Sequence, residues 1–433
     1  MAQTIRVLSA LLIAAFLLIS GAGLQGTLLS VRGNIEGFSL VLLGSLMSAY
    51  FTGFTLGCQV APHMVKRAGH IRSFTALASI ASAAALAHAL AVNPVFWIVL
   101  RVIAGFCMAG LYMIIESWIN EGATNERRGR ILAVYRVVDL SAGTVGQAML
   151  ATADPSKFYL FAVVSIVISI ALVPVALTST TQPTPITSAE IDLKKLFRIS
   201  PLAAFGCLSV GAANGAYWAV GAVYVQNLGY GIQTVAAFMT TVVISGAISQ
   251  WPLGFVSDLF DRRILIVAIT AACSAAGVLL GLTGGQSELM LLVGGAAFGF
   301  TAMPIFGLSV AHANDRAEPH EYVTLAAGLL LLYGAGAIVG PFIAPMIMQH
   351  FGPQALFFYT SGVYGAMTLF GLYRMQRSDA VKAEEREAYV SVPRTSPAVF
   401  EIDPRGEHEE DEGGEGDDGE NGEDSVSENA STV

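Results

Sequence analysis

The sequence predicts an all-α integral membrane protein, in which twelve transmembrane helices form two pseudo-symmetric halves of six helices each. Three observations support this fold class. Of the 433 residues, 54% are hydrophobic and only 13% are charged, whereas a soluble domain averages about 25% charged residues. Long apolar segments recur along the chain, and a short signature occurs twice, once in each half of the sequence.

The apolar segments define the individual helices. Crossing the hydrocarbon core takes about 20 apolar helical residues, and a helix satisfies its own backbone hydrogen bonds in lipid. The predicted spans are 8–30, 38–62, 73–92, 95–119, 131–153, 158–178, 201–226, 233–257, 264–283, 288–312, 322–348 and 354–374. The first span also has the pattern of a signal peptide, but the eleven spans that follow favour an uncleaved helix.

The longest interval between spans divides the chain into domains. We predict an N-terminal half at 1–178, a cytoplasmic linker at 179–200, a C-terminal half at 201–375 and an acidic disordered tail at 376–433. The tail is low in complexity, and such a segment buries too little apolar surface to order itself. A regulatory or partner-binding role for the tail is the alternative. Because the acidic residues concentrate there, the formal net charge of −9 says nothing about the charge of a substrate.

The repeated signature indicates an internal duplication. The two copies are Gly105-Phe106 with Asn120-Glu121, and Gly299-Phe300 with Asn314-Asp315, with the second pair starting fifteen positions after each glycine. The two glycines are 194 residues apart. Parallel repeats of six membrane helices are the architecture of many transporters, whose substrate site lies at the repeat interface.

Lysine and arginine residues predict the orientation in the membrane. With the N-terminus inside, 20 of the 23 basic residues fall in inner segments, and Arg32 and Lys157 fall outside. Cytoplasmic loops carry such an excess. We therefore expect both termini of this multi-pass protein to be cytoplasmic.

Two basic loops carry a family resemblance. One is Lys66-Arg67-Ala68-Gly69-His70-Ile71-Arg72, and the other runs from Gly254 through Asp258 and Asp261 to Arg262-Arg263. Both resemble the G-x-x-x-D-R-x-G-R-R loop of the major facilitator superfamily. In the first copy Pro62 replaces the leading glycine and Lys66 the aspartate, and in the second Leu259 and Asp261 depart from the pattern.

A basic loop at a helix junction can pair with carboxylates and latch an inner gate. The predicted gate residues are Lys66, Arg67, Gly69, Arg72, Glu121, Gly254, Asp258, Arg262 and Arg263. Plain anchoring by positive charge is the alternative. Arg101-x-x-x-Gly105 matches the superfamily's second signature, and the resemblance implies that Arg101 takes part in proton handling.

A finer resemblance is to the YcaD-like branch of bacterial permeases, over about residues 8–375. The matching residues include Lys66-Arg67-x-Gly69, Glu116-Ser117, Arg128-Gly129-Arg130, Gln250-Trp251-Pro252 and Gly340-Pro341. The resemblance implies a transporter in the bacterial inner membrane, acting as a monomer, with a small-molecule substrate and the lipid bilayer as its partners. It implies no cofactor and no nucleic acid.

Ionisable residues inside spans are candidates for proton coupling. Asp139 lies roughly 14 Å deep, counting 1.5 Å per residue from Arg130, and Arg136 is one turn away on the same face. A mid-membrane carboxylate is functional by default, although a purely structural pair with Arg136 is the alternative. Glu116 is nearer the inner surface, and we expect it to be a gate partner for Arg67 or Arg130 rather than a proton carrier.

Polar and aromatic residues of the spans are candidates for the substrate cavity. They are Gln25, Asn214, Tyr217, Trp218 and Tyr333, of which the middle three share one helix face. Glycines and a proline of two spans are candidates for helix packing or gating, namely Gly105, Gly336, Gly340 and Pro341. Ordinary helix packing is the alternative for many of these residues.

Together these patterns predict a secondary transporter that moves a small organic solute by alternating access, with protons as the coupling ion. Efflux is slightly favoured over uptake because the cavity candidates are uncharged and aromatic. The alternatives are an uncoupled facilitator, a metabolite uptake permease and, more remotely, a transporter-like sensor that signals through its acidic tail. No nucleotide-binding G-x-x-x-x-G-K-[ST] or H-E-x-x-H sequence occurs, and the cysteines have no metal-ligand spacing, so neither an enzyme nor a metal site is expected.

Overall fold

A computed structural model describes residues 2–121, 123, 127–177, 192–318, 321–377, 380, 381, 386 and 388–402. Its α-helices are α1 Ala2–Ile35, α2 Leu40–Ala68, α3 His70–Leu90, α4 Pro94–Glu121, α5 Arg128–Ala148, α6 Tyr159–Ile170, α7 Leu172–Ala176, α8 Leu193–Ile199, α9 Pro201–Asn227, α10 Ile232–Leu259, α11 Arg262–Thr283, α12 Glu288–Ala302, α13 Ile305–Asn314, α14 Tyr322–Phe351 and α15 Ala355–Met375. Short 3-10 helices cover Met149–Thr152 and Pro397–Ile402.

The twelve predicted spans all coincide with helical structure. Within the described residues, ten helices are long and apolar enough to cross a membrane, and α8 and α9, bent by 113° at Ser200, make an eleventh together. The remaining span is α5, whose Arg136, Asp139 and Gln147 lower its apolar character. All three of these polar residues border the central cavity, so the polar side of α5 faces the interior of the bundle.

The helices pack as two groups that meet along a central interface. Helices α1 to α7 contact one another closely, and α9 to α15 form a second group of the same kind. The groups join where α2 meets α14, α5 meets α10 and α1 meets α9. This is the architecture of two six-helix halves that the repeat predicts.

The repeated glycines hold equivalent helix crossings in the two halves. A Cβ on Gly105 of α4 would lie 2.0 Å from the carbonyl oxygen of Tyr50 in α2. A Cβ on Gly299 of α12 would lie 2.3 Å from the carbonyl oxygen of Val242 in α10. Only a hydrogen atom fits in place of a side chain at either position. The repeated glycine therefore allows the same close approach of two helix backbones in each half.

The glycine run of α14 also serves packing. Cβ atoms on Gly336 and Gly340 would lie 2.1 Å and 2.0 Å from the carbonyl oxygens of Leu208 and Ala212 in α9. Pro341 continues this face, and its carbonyl oxygen would lie 1.9 Å from a Cβ on Gly44 of α2. The run thus seats α14 against α9 of its own half and against α2 of the other half.

The halves are closed together at one end of the bundle. We call the "basic end" the end that carries Gly69, between α2 and α3, and Asp261, between α10 and α11. At the opposite end, Ser48 Oγ donates to the carbonyl oxygen of Ile338 at 2.6 Å, and Ser30 Oγ donates to that of Ala219 at 2.7 Å. These hydrogen bonds join the halves, so the central space is closed at the opposite end.

The C-terminal segment departs from the sequence prediction. Disorder is predicted from residue 376 onward, but residues 388–402 enter the basic end and contact α4, α5 and α14. Val399, Phe400 and Ile402 are buried there. The composition of the whole tail conceals this segment, because the acidic residues lie mainly after residue 402.

The repeated helix crossing gives a first prediction. Gly105→Ala should destabilise the protein, because overpacking a tight contact typically costs about 1–3 kcal/mol. Thermal unfolding of the purified protein in detergent measures the effect. Gly362→Ala in α15 is the matched control, since a Cβ there meets open space and alanine favours the helix. Equal thermal stability of the two variants would contradict the packing role of Gly105.

Candidate functional site

A cavity of about 250 Å³ lies between the halves. Its lining combines aromatic and apolar side chains with a group of polar ones, and sites that bind small molecules use both kinds. The charged and amide side chains that border it are Arg101, Arg136, Asp139, Gln147, Gln250 and Arg394. The aromatic ones are Tyr50, Phe51, Tyr112 and Trp218.

Asp139 and Arg136 form an ion pair at the wall of this cavity. Arg136 Nη1 lies 2.5 Å from Asp139 Oδ2, one turn apart on α5. The side chains are 12% and 18% exposed, so both remain open to the central space. The same arginine donates from Nε to Ser391 Oγ at 3.1 Å. This contact agrees with the pairing of Arg136 and Asp139 that the sequence predicts.

Arg101 is buried beside the same cavity. Its Cζ lies 4.3 Å from the ring centroid of Tyr50, and its Nε donates to the carbonyl oxygen of Leu46 at 3.4 Å. Among the described residues it has no carboxylate partner. A ring face and a carbonyl stabilise the guanidinium, which leaves a positive charge available to a bound solute.

Glu116 has partners that the sequence does not predict. Its buried carboxylate accepts a hydrogen bond from Tyr135 of α5 at 2.8 Å, and further bonds from Thr395 and Ser396 of the C-terminal segment. The predicted gate partners Arg67 and Arg130 are exposed and do not contact it. The prediction of a Glu116 gate pair was wrong, because the carboxylate faces the interior of the bundle instead of the loops.

The gate motif of the second half forms a buried clamp at the basic end. Arg262, 1% exposed, contacts Asp258 at the end of α10 at 2.9 Å and also pairs with Asp315, which follows α13. This arginine therefore joins three helix ends. Beside it, burial alone would raise the pKa of the Asp261 carboxyl, but hydrogen bonds from Arg263, whose ion pair is 2.7 Å long, hold that pKa below its usual value.

Among the described residues of the first half, the equivalent positions form no such clamp. Lys66, Arg67, Arg72 and Glu121 are exposed. At the position of Arg262 the first half has His70, whose ring lies 5.5 Å from that of Trp118. Gly69 has a φ of 84°, a conformation that favours glycine, at the sharp turn between α2 and α3. The two copies of the loop are thus equivalent in place and different in chemistry.

The predicted cavity residues separate into two groups. Trp218 lines the cavity, and Tyr333 contacts Phe51 and Phe306 edge to face near its border. Gln25, Asn214 and Tyr217 are buried between helices and do not border it. Asn214 accepts a hydrogen bond from Tyr364 at 2.8 Å, and the Tyr217 hydroxyl contacts the sulfur of Met239 at 3.3 Å.

The prediction for these three residues is corrected. For Asn214 and Tyr217, helical spacing defines a shared face but not which neighbour that face meets, and Gln25 is a polar residue of α1 that is buried away from the cavity.

Sequence reasoning also missed several residues of the site. Gln147 and Gln250 could have been noticed as amides within apolar spans. Tyr389, Ser391 and Arg394 had no local signal, because they follow the last helix in a tail that reads as disordered. Among the described residues, no cluster of His, Cys, Asp or Glu could hold a metal ion.

A polytopic helical bundle of two related halves, closed at one end and surrounding a partly polar cavity, defines a membrane transporter. The family model of the Major Facilitator Superfamily matches residues 11–245 and 204–404. The chain belongs to this superfamily, and it is therefore a multi-pass transporter of small molecules and not an enzyme.

Its relatives place it in the YcaD-like branch. The "Uncharacterized MFS-type transporter YcaD" of Salmonella heidelberg (strain SL476) is 28% identical over 323 residues, which are 74% of this chain and 83% of the relative. The protein of the same name from Salmonella typhi has the same identity and coverage.

Solved structures share the fold at low identity. A bacterial homolog of the human lysosomal transporter Spinster, inward-facing and occupied, is 15% identical with a TM-score of 0.73, covering 89% of this chain and 98% of that one. The nucleoside transporter NupG is 13% identical with a TM-score of 0.72, covering 86% and 100%. A D-xylose-proton symporter is 15% identical with a TM-score of 0.67, covering 88% and 98%.

The buried clamp gives a second prediction. Arg262→Ala should lower thermal stability strongly, because removing one partner of a buried ion pair costs about 3–5 kcal/mol. Arg72→Ala, at an exposed position of the equivalent loop, should change it little. The double variant Arg262→Ala/Asp315→Ala should recover part of the loss, since it also removes the buried carboxylate that Arg262 neutralises. A single variant as stable as the Arg72→Ala control would rule the clamp out as a stabilising contact.

Proposed function

We propose that this protein is a proton-coupled secondary transporter of a small organic solute, in which the Arg136–Asp139 pair carries the coupling. The observation that carries the proposal is the position of this ion pair. It lies within a membrane helix and on the wall of the central cavity. Ionisable residues in such places mark proton relays and substrate pathways.

The pair offers a simple exchange of partners. While Arg136 is 2.5 Å from Asp139, the carboxylate is neutralised by the arginine. Arg136 also donates to Ser391, which is an alternative acceptor for its guanidinium. If the guanidinium moved away from Asp139 toward such acceptors, the Asp139 carboxylate could bind a proton instead. Rocking of the two halves about the cavity would supply that movement, because α5 packs against α10 across the interface.

The lining supports a solute with an apolar or aromatic body and at least one polar group. Tyr50, Phe51 and Trp218 offer ring faces, and Gln147 and Gln250 offer hydrogen bonds. The buried charge of Arg101 additionally suits an anionic or strongly polar substituent. Efflux remains slightly favoured over uptake for such an amphipathic solute. An uncoupled facilitator and an uptake permease are the competing proposals.

The orientation is part of the proposal. The excess of lysine and arginine at the basic end supports a cytoplasmic position for that end. Since the halves are joined at the opposite end, the state described here corresponds to the inward-facing state of the transport cycle. Both termini are then cytoplasmic, and residues 1–178 and 201–375 are the two halves that move.

Reconstituted liposomes holding a pH-sensitive dye test the coupling. Addition of a panel of small organic solutes should produce a solute-dependent pH change, and Asp139→Asn should abolish it, because the amide cannot take up a proton. Asp154→Asn, at an exposed carboxylate outside the helices, is the control and should behave as the parent protein. Comparable solubility and thermal stability of both variants would show that the loss is not a folding defect.

Two outcomes would contradict this proposal. Transport of labelled solute without any pH change would make the protein a facilitator. A pH change that persists in Asp139→Asn would remove this carboxylate from the coupling mechanism.

A further inference from the structure

The basic end of the bundle contains a segment of the chain's own C-terminal region. Residues 388–402 lie between the halves and approach the central cavity. Arg394 reaches far enough to form part of the cavity wall. The cleft that would admit a solute at this end is therefore occupied by protein.

The deepest polar contact of this segment is with Glu116. Thr395 and Ser396 both donate hydroxyl hydrogen bonds to its carboxylate, which is fully buried. A buried carboxylate is costly unless its oxygens are satisfied by hydrogen bonds or its charge is paired. Tyr135 is the donor from the bundle itself, so the segment supplies the other two hydrogen bonds.

Arg394 occupies an aromatic site beside the cavity. Its Cζ lies 5.2 Å from the ring centroid of Tyr333 and 5.7 Å from that of Phe306. Guanidinium groups bind to aromatic faces in this way. The arginine thus brings a positive charge to a wall that already holds Arg101 and the Arg136–Asp139 pair.

The start of the segment is attached to the second half and to α5. The backbone N–H of Tyr389 donates to Asp258 at 2.8 Å, and its hydroxyl donates to Gln250 at 3.2 Å. Ser391 bonds both Gln250, at 2.9 Å, and Arg136, at 3.1 Å. The segment therefore contacts a carboxylate of the gate motif and the arginine of the proposed coupling pair.

Apolar packing completes the fit. Val399, Phe400 and Ile402 are at most 2% exposed, and burying such apolar side chains favours the bound position of the segment. With the segment in place, the cavity measures about 250 Å³, below the roughly 300–1,000 Å³ of typical ligand pockets.

We infer that residues 388–402 are an intramolecular plug that closes the basic end of the cavity and must leave before a solute can pass there. The occupied surface is the cleft formed by α4, α5, α10 and α14, and its partner is this segment of the same chain. The consequence for transport rests on the proposed function, whereas the closure itself does not.

Access of a thiol reagent to the cavity tests the plug without any transported solute. In the full chain, with Cys58, Cys107, Cys207 and Cys273 replaced by alanine, Val243→Cys places a thiol on the cavity wall. The reagent is a charged maleimide, applied in detergent. Val399→Asp/Phe400→Asp should expel the plug, because two carboxylates cannot remain in that apolar contact without partners.

Labelling of Val243→Cys should be at least about tenfold faster when the plug is expelled, which corresponds to an opening free energy of about 1.4 kcal/mol or more in the parent. Ala380→Asp, at an exposed position outside the plug, is the control and should leave the slow rate unchanged. Thermal unfolding of each variant confirms that the helical bundle is intact.

A second measurement reports on the plug itself. Val399→Cys, in otherwise unaltered plug sequence, should react at least about tenfold more slowly than Ala380→Cys. Equal rates at these two positions, or equal labelling of Val243→Cys with and without the Val399→Asp/Phe400→Asp substitutions, would overturn the inference. Because no solute is needed, failure of the transporter proposal would leave both results interpretable.

Discussion

Close backbone contact between helices is the constraint on which this structure depends. Lipid chains are as apolar as leucine, so helices in a membrane gain little by hiding apolar side chains from their surroundings. They associate where small residues let backbones touch. Gly105 and Gly299 provide that contact at equivalent crossings of the two halves. The glycine run of α14 extends the same principle to α9 within the second half, and Gly44 of α2 extends it to the contact with Pro341 between the halves.

The second constraint is the treatment of charge in a medium without water. Four buried ionisable residues of the bundle are stabilised in different ways. Arg262 is neutralised by two carboxylates and Asp139 by one arginine. Glu116 accepts hydrogen bonds from hydroxyl groups, and Arg101 lies on the ring of Tyr50. The contacts of Arg262 lie at helix ends of the second half, whereas Arg101 and the Arg136–Asp139 pair border the cavity.

Much of the fold was predictable because membrane insertion leaves a strong local pattern. Apolar length located the helical segments, and the recurrence of Gly105 at Gly299 indicated the duplication before any contact was known. The Arg136–Asp139 contact followed from helical spacing alone. The environment of Glu116 was not predictable, because its donor Thr395 is 279 residues away in the chain. Asn214 and Tyr217 show the same limit, since their spacing defines a helix face without identifying the helix opposite.

The attachment of the plug to the end of α15 has a consequence for competition. Only residues 376–387 separate Met375 from the start of the segment, and a short covalent connection gives an effective concentration on the order of millimolar. A segment with a weak intrinsic affinity for the cleft therefore occupies it most of the time. A solute arriving from the basic end must compete with the segment for the cleft. Its apparent affinity is therefore reduced in proportion to the fraction of protein molecules whose cleft the segment occupies. A solute entering from the other side meets the segment only after the halves have rearranged, so the segment lowers the apparent affinity for a solute at one face of the membrane only.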